Sequence, residues 1–315
     1  MDHLPVETRS TSDGRAIAVL TIDQPNRAVA VLDGELINRL DATLTALTAG
    51  ELPPTTPKID GLILASSSRV FLAGADLAAL ADFDDDAALA YLRKGSQVFA
   101  KLSALPVPTA AAINGAALGG GLELAMHCDH LVALEPTPQP DGTVKPYQVG
   151  LPEAGLGLCP GWGGTQMFPA RVARSSIGLA IRAVAEGRTW TAAEAAEHKL
   201  IDSIHPDFDA LFDRAAELFA AGKQGLKGRP VHIAQDDAHG LPSRSAFEAV
   251  RNQVFATDSA RSVAECIETG LKHGWDAGLA AEHQHLVDLR HTKTATEKLE
   301  AFLGRPVEAS RATTA

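Results

Sequence analysis

Two glutamates lie in company that surface glutamates seldom keep. "GLPEAGLGLCPGWGG" (150–164) carries Glu153 as its lone carboxylate among glycines, prolines and apolar residues, and "LGGGLELA" (118–125) carries Glu123 close behind three glycines. Gly and Pro in such runs follow from turn chemistry, because they set backbone angles that other residues resist. A solvated glutamate is the ordinary expectation, yet an apolar setting disfavours the charged form of a carboxyl once it is buried. Two carboxyls whose surroundings push their protonation apart make a general acid and base pair. A third glycine segment, "FLAGADL" (71–77), adds to the set. Glycine lets a backbone N–H come close to a ligand atom, a helix start adds partial positive charge, and two such N–H groups from separate junctions can converge on one oxygen. That is an oxyanion hole, suited to the enolate or tetrahedral oxyanion of a thioester carbonyl. The same glycines fit a phosphate loop poorly, since "LGGGLEL" lacks a GK[ST] ending and a strict GxGxxG, and its glutamate would repel a phosphate.

Strands alternating with helices could bring these junctions together. "RAIAVLTID" (15–23), "IDGLILASSS" (59–68), "PTAAAINGAA" (108–117) and "DHLVAL" (129–134) read as strands, most of them apolar throughout. Between them "LDGELINRLDATLTALTA" (32–49) and "DDAALAYLRKGSQVFAKLSAL" (85–105) repeat apolar residues at helical spacing, the second ending at Pro106 and Pro108. Such alternation predicts an α/β layered fold with parallel crossovers. "EPTPQPDGTVKPY" (135–147) is a surface loop by its Pro and polar content. From Ser175 onward helical patterns dominate, the last running from Ala281 to Leu303. The division expected is a core over 1–205, a helical region over 206–306 and a polar, disordered tail over 307–315.

At 315 residues with 45% hydrophobic content the chain can fill a real core, and its formal charge of −11 opposes a nucleic-acid or anionic-membrane surface. Cys128, Cys159 and Cys266 are far apart without CxxC spacing, which predicts free thiols and neither a disulfide framework nor a zinc site. "MDHLPVETRS" has no basic stretch followed by an apolar one, and no apolar run approaches a membrane span, so a cytoplasmic setting is expected.

The ordered set "FLAGADL", "AAINGAALGGGLELAMHCDHLVA", "GLPEAGLGLCPGWGGTQMFP" and "AEGRTWTAAEAAEHKLID" resembles the crotonase superfamily, specifically its enoyl-CoA hydratase/isomerase branch. The resemblance covers roughly residues 13–205, and "EAFLGRP" near the end is similar to the family's closing helix. It implies a crotonase-like spiral of ββα units with a helical C-terminal region that builds homotrimers, often paired into homohexamers. It also implies an acyl-CoA thioester substrate, coenzyme A being part of that substrate, with no metal or redox cofactor. By motif position Ala75 and Gly120 would supply the oxyanion-hole N–H groups. Glu123 would activate the water that adds at the β-carbon of a trans-2-enoyl-CoA, and Glu153 would exchange a proton with the α-carbon. Arg27, Ala28 and Val29 fall in the segment that lines the CoA site, with Ala73, Asp76 and Leu77 along the "AGAD" edge and Gly161 near the water and acyl chain. Two departures stand out: the family's Asn in its "NAL" stretch is Ala30 here, and the 135–147 loop is longer than usual.

Two rival readings use the same residues. Another crotonase reaction, such as enoyl-CoA isomerisation or thioester hydrolysis, is one; isomerases commonly keep a single acid, so the pair favours hydration. A non-catalytic acyl-CoA or RNA-binding protein is the other, opposed by the net charge and the intact acids. His127, Cys128 and His130 have no standard ligand spacing, Trp162 and Trp275 read as packing residues, and His283 and His285 read as solvated helix residues on different sides. The helix-rich C-terminal third carries more apolar stripe than a small subdomain needs to bury, which predicts a trimer or hexamer. Light scattering at micromolar concentration should give that mass, and a monomeric mass would contradict it.

Overall fold

Apolar strands run side by side through the centre of the molecule, whose computed structural model describes residues 2–51, 59–138, 141–222, 240–251 and 256–307. β1 (Val6–Ser10) and β2 (Ala16–Ile22) form an antiparallel hairpin, and α1 (Gly34–Ala49) leads to β3 (Gly61–Ser66). After α2 (Leu77–Asp82) and α3 (Asp85–Ala104) come β4 (Thr109–Ile113), β5 (Ala117–Leu118), α4 (Gly120–Met126), β6 (His130–Leu134) and β7 (Gln148–Gly150). A 3-10 turn at Glu153–Leu156 precedes α5 (Gly164–Arg171), α6 (Ile177–Glu186), β8 (Thr189–Thr191), α7 (Ala192–Glu197) and β9 (Ser203–His205). Every described element after His205 is helical: α8 (Phe208–Ala220), α9 (Gly240–Arg251), α10 (Asp258–His273), α11 (Trp275–Arg290) and α12 (Lys293–Leu303). No helix among the described residues is long and apolar enough to cross a membrane.

Among the described residues, one sheet has the order β1-β2-β3-β4-β6-β9 and a smaller one the order β5-β7-β8. From β2 to β9 all neighbours in the larger sheet are parallel, as the helical crossovers require. Both faces of this sheet are covered, which explains the unbroken apolar runs. Ile17, Val19, Ile63, Ala65, Ala110, Ala112 and Val132 point to one face and pack under Leu211, Phe212, Ala215 and Phe219 of α8. Their sequence neighbours Ala18, Leu20, Leu62, Leu64, Ala111, Ile113 and Leu131 point to the other face and enter the main core.

The helical pattern over 281–303 divides in two. α11 ends at Arg290 and Thr292 caps α12 by accepting the Ala295 N–H, which starts a new axis. In the 135–147 loop, Pro138 bridges Val144, and the Tyr147 hydroxyl donates to Leu134 O at 2.7 Å. The expected tail lies outside the described residues from 308 onward.

The small sheet sets three strand-to-helix junctions against one another. Leu118 N donates to Leu72 O (3.1 Å) and Gly119 N to Gly150 O (2.9 Å), so the 71–77, 117–123 and 149–153 segments are pinned side by side. At the far end of α4, the buried Arg171 guanidinium donates to Met126 O (3.0 Å), Cys128 O (2.9 Å) and Asp129 O (3.1 Å). A cation on these carbonyls also suits the negative end of the helix. Replacing Arg171 by Met should therefore destabilise the fold by about 2–3 kcal/mol, the cost of leaving buried acceptors unmet. Chemical denaturation reads it; an unchanged midpoint at equal slope would contradict this role.

Candidate active site

A cleft partly open to solvent lies where the three junctions meet. Ala73, Gly74 and Ala75 form one wall, Gly119, Gly120 and Glu123 another, and Pro152, Glu153, Cys159, Gly161 and Trp162 a third. Leu80, Leu92 and Leu286 make the lining apolar. Gly74 (φ +103°) and Gly119 (φ +52°) hold backbone conformations that side chains resist. A Cβ on Gly74 would sit 3.1 Å from Leu118 O and 3.7 Å from Gly120 N, which measures how closely the two backbones approach. Neither the Ala75 nor the Gly120 N–H donates to a protein acceptor among the described residues, and both residues line the cleft.

Glu123 stands in the first turn of α4, 1% exposed. Its Oε1 accepts the N–H groups of Trp162 (2.7 Å) and Gly164 (2.8 Å). Burial pushes its pKa up to about 7 against the pull of these donors. Glu153 begins the 3-10 turn, and its Oε2 is buried with no hydrogen-bond partner among the described residues. Burial first, then the charges of Glu123 and Glu282, hold its pKa well above the ordinary carboxyl value. The two acids thus share a cleft and differ in hydrogen bonding: Glu123 Oε1 is held by two backbone donors at the start of α5, while Glu153 Oε2 has none among the described residues.

Glu282 is a third acid that the sequence reading passed over. It is fully buried on α11, where Oε2 accepts Gly163 N (2.6 Å) and Oε1 accepts Thr165 N (2.9 Å) and the Thr165 hydroxyl. Burial and the Glu123 charge raise its pKa. One signal was available, because Gly278, Glu282, Leu286 and Arg290 recur at four-residue spacing on the buried face of α11. A glutamate in that row is out of place.

The structure gathers Glu123, Glu153, Ala73, Ala75, Leu77, Gly120 and Gly161 around the cleft. Arg27, Ala28, Val29 and Asp76 do not line it. Arg27 is ion-paired with Asp33 (3.1 Å) and Asp76 (2.9 Å), while Asp76 caps α2. No described residue of the 135–147 loop lines the cleft either. Trp162 packs as expected, its ring 5.3 Å from those of Tyr91 and Phe99 and its indole N–H donating to Leu92 O, but it also walls the cleft. The solvated reading of His283 is corrected: it is buried, its Nε2 lies 3.0 Å from Ser96 Oγ, and burial lowers its pKa to about 4. His285, on another side of α11, lies near Glu265. All three thiols are free and buried, and Cys159 lines the cleft.

A layered α/β core that sets two acids against a backbone N–H pair is the arrangement of a crotonase-type acyl-CoA enzyme. The sequence profile of the enoyl-CoA hydratase/isomerase family matches residues 12–236, and the chain belongs to that family within the crotonase superfamily. Its sequence is 32% identical over 279 residues to the fatty acid oxidation complex subunit alpha of Shewanella amazonensis, covering 85% of this chain and 37% of that protein. The chain thus spans under two fifths of the length of that curated relative. Among solved structures it is similar to an enoyl-CoA hydratase from Bacillus anthracis, at 24% identity and TM-score 0.55, covering 96% of this chain and 97% of that one. It is also similar to Pseudomonas aeruginosa DspI, at 25% identity and TM-score 0.55, covering 98% and 96%.

Burying these acids has a measurable sign. A folded-state pKa above the unfolded value near 4.5 means that the folded protein keeps a proton that the unfolded chain has lost. The stability this contributes is complete below that value and is lost as pH rises through the folded pKa. Glu153→Gln removes the titration without stranding a donor, so it should raise Tm above that of the unsubstituted protein at pH 8, by about 2–4 °C for each kcal/mol relieved. The gain should vanish near pH 4. A variant equally or less stable at pH 8 would show that Glu153 is not buried against its charge.

Proposed function

We propose that the protein is an enoyl-CoA hydratase, adding water across the double bond of a trans-2-enoyl-CoA to give a 3-hydroxyacyl-CoA. One arrangement carries this reading: Glu123 and Glu153 face a single cleft that also presents the Ala75 and Gly120 N–H groups. Those two N–H groups would receive the thioester oxygen, whose negative charge grows as water adds. Glu123, pushed up to about 7, is ionised often enough near neutrality to take a proton from water as its oxygen bonds the β-carbon. The double-bond electrons then move toward the thioester, and Glu153, held protonated by its surroundings, gives its proton to the α-carbon. One carboxyl gains the proton that the other loses, and exchange with solvent restores both.

The name of the Shewanella relative supports a place in fatty-acid oxidation. Ala73 and Leu77 lie where the CoA moiety would pass, with Arg27, Ala28, Val29 and Asp76 in the flanking segments. Assembly as a trimer or hexamer belongs to the same reading, and burying the exposed Leu179 and Phe302 would favour association.

The test is hydration of crotonyl-CoA and longer enoyl-CoAs, followed by loss of enoyl-thioester absorbance. Replacing Glu123 or Glu153 by Gln should each lower kcat by roughly 10²–10⁴-fold, the range for a positioned acid or base. Activity of the unsubstituted enzyme should rise with pH through about 7 as Glu123 ionises. If only Glu153 mattered and a 3-enoyl-CoA were the better substrate, isomerisation would replace hydration as the reaction.

A further inference from the structure

The start of α5 offers its backbone N–H groups to two carboxylates in turn. Trp162 N and Gly164 N go to Glu123, while Gly163 N and Thr165 N go to Glu282. This alternation gives Glu282 an effect on a site whose cleft it does not line. An N–H bonded to one carboxylate is withheld from the other, so the hold of Glu282 on Gly163 and Thr165 settles which groups face Glu123. Gly163 makes the turn possible with φ +97°, and a Cβ there would collide with the Trp275 ring. The clamp is itself braced, since Gln166 Nε2 donates to the Thr165 hydroxyl (2.7 Å) and to Cys266 O (2.8 Å) on α10.

From this geometry we infer that Glu282 is a positioning residue for the two-acid site, clamping the start of α5 so that Glu123 keeps its backbone donors. The inference rests on the hydratase reading for its kinetic consequences and on the hydrogen bonds alone for its structural ones. Titratable groups near the trio include the thiols of Cys159 and, from α10, Cys266, the Tyr91 hydroxyl on α3, and the imidazoles of His127 at the end of α4 and His283 on α11.

The experiment compares the intact enzyme with Glu282→Gln, in which one carboxylate oxygen becomes an amide that cannot accept an N–H. Crotonyl-CoA hydration should lose roughly 10–100-fold in kcat with KM within about threefold, as expected when groups acting only in the transition state are disturbed. A second readout is independent of the reaction: the Trp162 backbone amide, followed by selective 15N-tryptophan labelling. In the unsubstituted protein its proton shift should titrate with Glu123 near pH 7. In Glu282→Gln that titration should shrink by at least half. Thr165→Val, which keeps the side-chain shape but removes one donor to Glu282, should move the same readouts in the same direction by a smaller factor, and it carries the test if Glu282→Gln does not fold. Normal kcat and an unchanged Trp162 titration in a folded variant would overturn the inference and leave the hydratase reading standing. Failure of the unsubstituted enzyme to hydrate any enoyl-CoA, with the Trp162 titration still lost in the variant, would overturn the hydratase reading and leave the clamp standing.

Discussion

Four successive N–H groups, from Trp162 to Thr165, are divided between Glu123 on α4 and Glu282 on α11, two acids more than 150 residues apart in the chain. Ionised carboxyls are rarely tolerated in an apolar interior, and hydrogen bonds from backbone N–H groups are among the few things that offset their desolvation. Here the positive end of α5 supplies them. Around this contact the large elements fall into place: Arg171 at the other end of α5 holds the end of α4, and Trp162 packs its ring between α3 and Gly120. α11 reaches the site because Leu286 and Glu282 share its buried face.

Glu153 shows what the arrangement achieves. It receives no such donors at Oε2, and two neighbouring carboxyls act on it, so it keeps a proton where Glu123 gives one up. On the hydratase reading, two chemically identical side chains would serve as base and acid through their surroundings. The cost falls on stability, since each buried carboxyl opposes folding more strongly as the pH rises.

Much of this was legible in the sequence because short-range chemistry dictated it. Gly74 and Gly119 occupy positive-φ positions at strand-to-helix junctions, and the apolar runs from Ile17 to Ala133 are the strands of a sheet covered on both faces. Glu123 and Glu153 stood out because glycines and apolar residues surrounded them. Glu282 and His283 did not, since "EHQHL" carries the composition of an exposed helix and their burial comes from packing against α3 and α5, far away in the chain. The ion pairing of Arg27 with Asp33 and Asp76 was hidden for a similar reason: Asp76 meets it only after the chain has passed through α1 and β3. The break at Thr292 was within reach, as a Thr cap has a local signature, but continuous helical spacing on both sides masked it.

The most direct measurement of the paired role is a double-mutant cycle on Glu123 and Glu153, with both replaced by Gln singly and together and kcat for crotonyl-CoA hydration measured for all four proteins. Groups acting as a unit on one water and one α-carbon lose their joint effect when either is removed. The double variant should therefore be only slightly slower than the worse single one. Losses that multiply, or a single variant with near-normal turnover, would show that the two acids do not share one reaction.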